Sequence, residues 1–406
     1  MSPHARVETP LAIPRMCPAM RPRKARVVEI LVALLLLASL ASARANWAWT
    51  DVTPPMEQYQ IDRGEANINT YYSIASSPDG LKLAAVGPST SLRTSTNGGA
   101  NWTVSTLAWY DSWYDVAMSH DGGVLVAVGY WKNVMVSLDF GETWNGVFPD
   151  ALWGQGWSWQ KVACSSDCST IVGVASNGYI WISRDSGSTW TQKGHKALWN
   201  AVTCSDDGSV IVAGASNEVI YVSRDHGETW LPGDVDARAW SDFACSSDGS
   251  RIVASTSSGS TNNVYTSSDY GATWSSNLLN LGMAWSVASS SDGARLVVVS
   301  YSNGGPAMSG VIYTSSDYGK TWKHETSTPS TQMNWRGVAS SSDGIRLAAV
   351  AEKQGSSLFG IFTINREGAC ECCDLRIACL ASAGALLHVA LSAGVAVPRA
   401  EAAAAV

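Results

Sequence analysis

The sequence predicts an all-β fold, a seven-bladed β-propeller built from four-stranded antiparallel blades. Two short phrases each recur seven times, copies of the first lie 40 to 48 residues apart, and the composition favours tight turns. Charged residues make up only 15% of the 406 residues, whereas there are 36 Gly and 19 Trp. Glycine supplies the left-handed backbone that tight turns need. A repeat of this length with about four strands is typical of one propeller blade.

The first repeated phrase has the form S-x-D-x-G-x-T-W and predicts the turn of a β-hairpin. Five copies are close to this form, a weaker copy spans Ser95–Trp102, and a remnant begins at Thr363. The Asp side chain can accept backbone N–H bonds, the Gly can adopt positive φ, and the Trp can pack the hairpin onto its sheet. The residues at the Asp position are therefore predicted to be structural: Asn97, Asp139, Asp185, Asp225, Asp269 and Asp317.

The second phrase, W-x-x-V-A-x-S-x-D-G, precedes each copy of the first and predicts the innermost strand of a blade and its turn. The unit that begins at Trp199 contains four alternating or β-branched segments separated by turns, as expected for strands. In one copy the aromatic residue, Trp285, lies one residue closer to the Asp. The aromatic residues that open the seven inner strands are Tyr72, Trp113, Trp159, Trp199, Trp240, Trp285 and Trp335.

The ring of blades needs a closing strand, because an open array would leave sheet edges exposed. The seventh unit ends at about Gly368 without a fourth strand. Residues 47–52 resemble the segment that follows the Trp of the first phrase in other units. We therefore predict that this N-terminal segment supplies the outer strand of the last blade.

These phrases resemble the Asp-box, or BNR, repeat families over residues 71–368. The families include sialidases, sortilin-type receptors, xyloglucanase-type glycosidases and photosystem II assembly factors. The resemblance implies the propeller fold and places the Asp boxes on the face opposite a sialidase active site. The R-I-P phrase of sialidases is missing, since Ile13-Pro14-Arg15 has the wrong order, and xyloglucanase-type enzymes use two propellers. The single propellers of the assembly factors match better in size, although their basic patch is not evident here.

The expected binding face lies opposite the Asp boxes, where the seven inner strands begin. Aromatic residues there can stack on sugars or grip an extended peptide. Alternatively, each Trp wedges between neighbouring blades, and its repetition in every unit favours that structural role. Loops entering the inner strands add the candidate binding residues Trp109, Trp153 and Trp157.

The predicted function is non-enzymatic binding of a glycan or protein partner at this aromatic face. One alternative is a glycoside hydrolase of sialidase-like or related type, in which loop carboxylates such as Asp111 and Asp236 act on a glycosidic bond. A second alternative is a lumenal factor similar to the photosystem assembly proteins. The sequence does not identify the ligand.

The two ends of the chain carry export and anchoring signals. Residues 1–45 contain a basic segment, the apolar run Ile30–Leu40 and small residues, and they predict a signal peptide or signal anchor. The propeller covers residues 46–368. Residues 369–406 form an Ala-rich tail in which residues 377–397 are long enough to span a membrane; it is a membrane anchor, a disordered tail or an incorrectly assigned final exon. The predicted location is secreted or extracytoplasmic, with a membrane-anchored form or the thylakoid lumen as alternatives.

Charge and cysteine placement exclude several classes of site. The net charge of −7 argues against a nucleic-acid partner, and no cofactor motif or metal-ligand spacing is present, so a monomer without cofactor or metal is expected. Equivalent positions of neighbouring blades are too far apart for a disulfide, so Cys164, Cys204 and Cys245 are expected to be small core residues. The tail cysteines match no standard zinc site and their disulfide state stays open: Cys370, Cys372, Cys373 and Cys379.

Overall fold

The protein is described by a computed structural model. It describes residues 49–54, 70–88, 92–105, 112–130, 134–148, 158–257, 263–279, 281, 283–301, 310–326, 333–353 and 359–366. All regular elements in these ranges are β-strands, and this part of the chain holds no helix suited to crossing a membrane. The predicted signal and tail, with the four tail cysteines, lie outside the described residues.

The described strands form consecutive antiparallel sheets. The first two sheets are β2 (Ser73–Ser76), β3 (Leu83–Val86), β4 (Arg93–Ser95) and β5 (Thr103–Val104), then β6 (Trp113–Met118), β7 (Leu125–Gly129), β8 (Met135–Ser137) and β9 (Asn145–Gly146). The last two are β20 (Met283–Ser289), β21 (Leu296–Tyr301), β22 (Ile312–Ser315) and β23 (Lys323–His324), then β24 (Met333–Ser340), β25 (Arg346–Lys353), β26 (Phe359–Asn365) and β1 (Thr50–Asp51).

The middle of the chain forms three further units that are joined into one ten-stranded sheet. Backbone pairs between strands of neighbouring units connect their sheets, for example Ser176↔Leu198 and Ser216↔Ala239. The strands are β10 (Ser158–Cys164), β11 (Ile171–Ser183), β12 (Thr191–Cys204), β13 (Ile211–Glu218), β14 (Ile220–Ser223), β15 (Leu231–Pro232), β16 (Arg238–Cys245), β17 (Ile252–Thr256), β18 (Asn263–Ser267) and β19 (Ser275–Leu278). Among the described residues, the total is therefore seven units, which we number as blades 1 to 7 in chain order.

The blades close into a ring around a central channel. The innermost strands contact one another in the order β2, β6, β10, β12, β16, β20 and β24, and β24 also contacts β2. The core lies between blades; one apolar cluster, for example, joins Val212 and Ile220 of blade 4 with Trp240 and Phe243 of blade 5. The all-β propeller predicted from the two phrases is confirmed.

A belt of backbone hydrogen bonds runs around the axis at the S-x-D-G turns. The N–H of the second turn residue in one blade donates to the carbonyl of its equivalent in the next, at 2.7 to 2.9 Å. The participating residues are His120, Ser166, Asp206, Ser247, Ser291, Ser342 and Pro78. Pro78 accepts but has no N–H to donate, so the belt lacks a bond from blade 1 to blade 2. These turns and the Asp boxes share one end of the blades, the Asp-box face; the opposite end is the mouth face.

The N-terminal segment closes the ring as predicted. Thr50 pairs with Thr363 and Asp51 with Phe362, so β1 is the outer strand of blade 7. Trp49 is buried, and its ring lies 5.6 Å from that of Trp335. The last blade therefore combines strands from the two ends of the propeller.

Each Asp box is a compact hydrogen-bonded turn. In the box of blade 2, Asp139 accepts the Thr143 N–H at 2.8 Å, together with the hydroxyls of Thr143 and Ser137. The Ser137 oxygen in turn accepts the Gly141 N–H at 2.7 Å. Donation from the Thr143 hydroxyl and N–H and from Ser137 lowers the pKa of Asp139 to about 2. The carboxylate is thus committed to holding the turn.

One cysteine expectation is wrong. Cys164 was expected to be a small core residue, but it forms a disulfide with Cys168. The bond lies within one hairpin, because Cys168 occupies the turn position that is Gly in most copies. Cys204 and Cys245 are free thiols, and burial raises the pKa of both.

Candidate binding site at the channel mouth

A β-bulge follows the entry of six inner strands and sets the chemistry of the channel mouth. In β6, for example, Trp113 pairs with Gly129 but Asp115 pairs with Val128, so Tyr114 is the extra residue. A bulge re-aims the side chain of its extra residue. The extra residues are Tyr114, Gln160, Asn200, Ser241, Trp285 and Arg336. With Tyr72 and Lys161 they line a cavity of about 370 Å3 on the channel axis.

The seven predicted aromatic residues divide into two groups. Five occupy the position before the bulge and are at most 7% exposed, where they wedge between blades: Trp113, Trp159, Trp199, Trp240 and Trp335. In blades 1 and 6 that position holds Tyr71 and Ala284, both fully buried. Tyr72 and Trp285 lie one residue further along and line the channel, because a shift of one residue moves a side chain to the other face of a strand. Trp109, Trp153 and Trp157 lie outside the described residues.

One half of the mouth, from blade 6 through blade 2, is aromatic. The Arg336 guanidinium lies 5.0 Å from the ring centre of Tyr72, 5.4 Å from Trp285 and 4.7 Å from Tyr301, within range of cation–π attraction. Glu352 forms an ion pair with Arg336 at 3.0 Å. The aromatic row continues through Tyr114, whose ring centre is 6.0 Å from that of Tyr72.

The other half, from blades 3 to 5, presents amides and hydroxyls. Asn200 donates to the Ser216 hydroxyl at 2.6 Å, and Ser241 donates to the Ala284 carbonyl at 2.6 Å. Gln160 contributes a second amide. The mouth is therefore asymmetric, although the blades that build it repeat.

Below the mouth, Lys161 connects blades across the axis. Its Nζ lies 3.5 Å from Asp115 of blade 2 and 3.3 Å from Asp242 of blade 5. Asp115 also accepts the Ser73 hydroxyl and the Val162 N–H, at 2.6 and 2.9 Å. Asp242 accepts the Ser286 hydroxyl and the Val287 N–H of blade 6, at 2.7 and 3.1 Å.

The buried charges of this triad stabilise one another. Burial disfavours the charged Lys161, but the two carboxylates outweigh that effect and raise its pKa. Burial raises the pKa of Asp115, against the opposing effects of Lys161 and its two hydrogen-bond donors. Lys161 therefore depends on the two carboxylates to remain charged below the surface.

Two buried carboxylates near the channel, Asp115 and Asp242, are engaged within the protein. Both pair with Lys161 and accept backbone N–H groups. The Asp236 side chain is 90% exposed beside Arg238, and Asp111 lies outside the described residues. No three His, Cys, Asp or Glu side chains cluster in a metal-binding arrangement within the described ranges.

Comparison with known proteins identifies the repeat. The model of the BNR-Asp box repeat matches residues 312–324, which form the third-to-fourth-strand hairpin of blade 6. The chain contains a BNR-Asp box repeat. No curated protein sequence matches the chain.

Solved structures share the fold of this Asp-box protein. YCF48 from Cyanidioschyzon merolae is 15% identical, with a TM-score of 0.57, and the match covers 80% of this chain and all of that one. YCF48 bound to D1 peptide is 16% identical, with coverage of 79% and 96% and the same TM-score. The GH74 xyloglucanase from Xanthomonas campestris is 15% identical with a TM-score of 0.57, and the match covers 80% of this chain but only 54% of that enzyme. At these identities the similarity shows the fold alone.

The channel residues were only partly found from the sequence. Sequence reasoning named Tyr72 and Trp285 but missed Tyr114, Gln160 and Arg336. A usable signal was present, since the position before the bulge is aromatic in six blades, whereas the residue after it varies among Tyr, Gln, Asn, Ser, Trp and Arg. Variation at one position of a repeat marks the residues that are free to serve binding.

Proposed function

We propose that this chain is a binding protein that takes an extended segment of another protein at its channel mouth. The asymmetric mouth carries the proposal: an aromatic half centred on Arg336 faces a half formed by amides and hydroxyls. An extended peptide points successive side chains to opposite faces and leaves backbone N–H and C=O groups free along its edges. The aromatic row can pack the side chains, and Gln160, Asn200 and Ser241 can exchange hydrogen bonds with the backbone.

The arrangement is suited to binding because its central residue is already held in place. Three aromatic rings and Glu352 fix the Arg336 side chain. A group that is ordered before binding loses less conformational entropy when the ligand arrives. Support for a peptide, rather than a glycan, comes from YCF48, a protein of the same fold with a structure bound to D1 peptide.

A display library of random peptides, selected against the purified full chain, tests the proposal. We expect enriched peptides whose affinity falls about tenfold in Tyr114→Ala and in Trp285→Ala, since buried aromatic contacts dominate binding. Tyr270→Asn is the matched control, because Tyr270 is an exposed tyrosine on the Asp-box face. Enrichment that survives both mouth substitutions, or selective binding of a glycan panel instead of peptides, would contradict the proposal.

We propose further that the protein works outside the compartment in which it is made. The basic and apolar segments within residues 1–45 support export. A chain tagged within a surface turn should be recovered from the extracytoplasmic fraction, and removal of residues 1–45 should return it to the cytoplasm. An equal distribution of both forms would argue against export.

A further inference from the structure

A second cavity lies between blades 5 and 6, on the Asp-box face and away from the channel mouth. It encloses about 470 Å3. Its blade 5 wall contains Thr266 and Ser275, which pair across β18 and β19, and Asn277, which pairs with Val264. Paired residues share a face of the sheet. A Cβ placed on Gly319 of blade 6 would lie 2.7 Å from the Thr266 methyl, so this polar face is the one turned towards blade 6.

The wall differs from the equivalent walls of blades 3 and 4. The position of Thr266 is occupied by Val222 in blade 4 and Ile182 in blade 3, and both are buried against the next Asp box. Thr266 is only partly buried. The space that apolar side chains fill between those blades is therefore open and polar between blades 5 and 6.

Two cations line this cavity without a carboxylate partner. Arg251 and Lys320 both face it, and neither forms an ion pair with any residue in the described ranges. On the same face, Arg184 and Lys193 both form ion pairs with Glu228, at 2.6 and 2.8 Å. The charge of Arg251 and Lys320 is thus available to a ligand.

Tyr318 holds one of these cations in place. The Arg251 guanidinium lies 3.8 Å from the centre of the Tyr318 ring, and the Arg251 stem packs over the turn at Gly293. Tyr318 adopts φ of 64°, a left-handed conformation that costs a non-Gly residue about 1 to 2 kcal/mol. The equivalent residue is Gly98 in blade 1, with φ of 66°, but a large side chain also occurs there, as at Phe140 of blade 2, with φ of 57°. The position therefore accepts a large side chain, and in blade 6 that side chain stacks on Arg251.

We propose that the cavity between blades 5 and 6 binds an acidic saccharide. Arg251 and Lys320 would pair with its carboxylates, as cations do in charge-assisted hydrogen bonds. The hydroxyls of Thr266 and Ser275 and the amide of Asn277 would bind its hydroxyl groups. This site is independent of the peptide site at the mouth.

Titration of the full chain with trigalacturonic acid, followed by calorimetry, tests the site. We expect Arg251→Gln and Tyr318→Gly each to weaken binding of the acid about tenfold. Neutral maltotriose should bind the unaltered protein no more tightly than the acid binds these variants. Tyr318→Gly should leave the melting temperature unchanged or raised, because glycine accepts the left-handed φ without strain. Its loss of binding would then not be a loss of folding.

Lys82 provides the matched control. It stacks over Phe140 between blades 1 and 2, with Nζ 5.4 Å from the ring centre, so it repeats the Arg251–Tyr318 arrangement at another seam. Lys82→Gln should bind the acid like the unaltered protein. Failure of the unaltered protein to bind, equal affinity for maltotriose, or equal losses in Lys82→Gln and Arg251→Gln would each overturn the proposal.

Discussion

Replacement of Lys161 by Met removes the only cation of the buried triad in the channel and keeps most of the side-chain volume. Asp115 and Asp242 are then left uncompensated, with side chains only 6% and 8% exposed. Removing one partner from a buried ion pair costs about 3 to 5 kcal/mol. Because Lys161 retains 23% exposure, we expect the lower end, a loss of about 3 kcal/mol in the free energy of unfolding at pH 7.

The loss should depend on pH in a specified direction. In the unaltered protein the folded-state pKa of Lys161 lies above its unfolded value, so its contribution is complete at neutral pH and disappears only as the pH rises through that raised pKa. In Lys161→Met, Asp115 loses the cation that lowers its pKa, so burial raises that pKa further. The folded state then binds protons that the unfolded chain releases, so stability recovers as the pH falls from 7 to 5.

Urea denaturation followed by tryptophan fluorescence at both pH values measures the effect. Lys323→Met is the control, since that lysine is 72% exposed and its ion pair with Glu325 spans 3.6 Å; exposed pairs contribute about 0 to 1 kcal/mol. Lys161→Met/Asp242→Asn should be more stable than Lys161→Met, because one uncompensated charge is removed. An unchanged midpoint, or an equal loss at pH 7 and pH 5, would refute the assignment of a buried charge triad.

Three further predictions test the fold. Trp240→Ala should lower the free energy of unfolding by about 3 to 5 kcal/mol, because it removes a fully buried side chain between blades. Trp285→Ala, at the channel, should lower it clearly less in the same denaturation assay. Similar losses in the two variants would contradict the one-residue offset between these tryptophans. Deleting residues 46–54 should lower the melting temperature, since β26 loses its partner β1, and an unchanged melting temperature would disprove closure by this strand. Asp225→Ala should lower the melting temperature at pH 7, and the difference from the unaltered protein should shrink towards pH 2. Hydrogen bonds from Thr229 and Ser223 lower the pKa of Asp225 in the folded state to about 2. The stabilisation by Asp225 is therefore present above the unfolded pKa of 3.8 and is lost as the pH falls through 2. A difference that persists at pH 2 would show that the carboxylate is not its source.

The repeated phrases determined the blades by themselves because they act locally. A turn such as Ser137–Trp144 is built from bonds between residues at most four apart, so its form is written in a short stretch of sequence. The closing strand was also predictable, since one blade visibly lacked its fourth strand. Export and the fate of the tail remain predictions from sequence, outside the described residues.

The tertiary structure alone decided which side chains meet at a site. Tyr72 and Trp285 belong to the same sequence pattern as Trp113 and Trp335, yet they line the channel because they lie one position later, where most inner strands bulge. Lys161 meets Asp242 although 81 residues separate them in the chain. The cavity beside Thr266 is likewise formed only where blade 5 packs against blade 6. Such contacts follow from ring closure, which brings distant repeats together, and no local pattern encodes their distances.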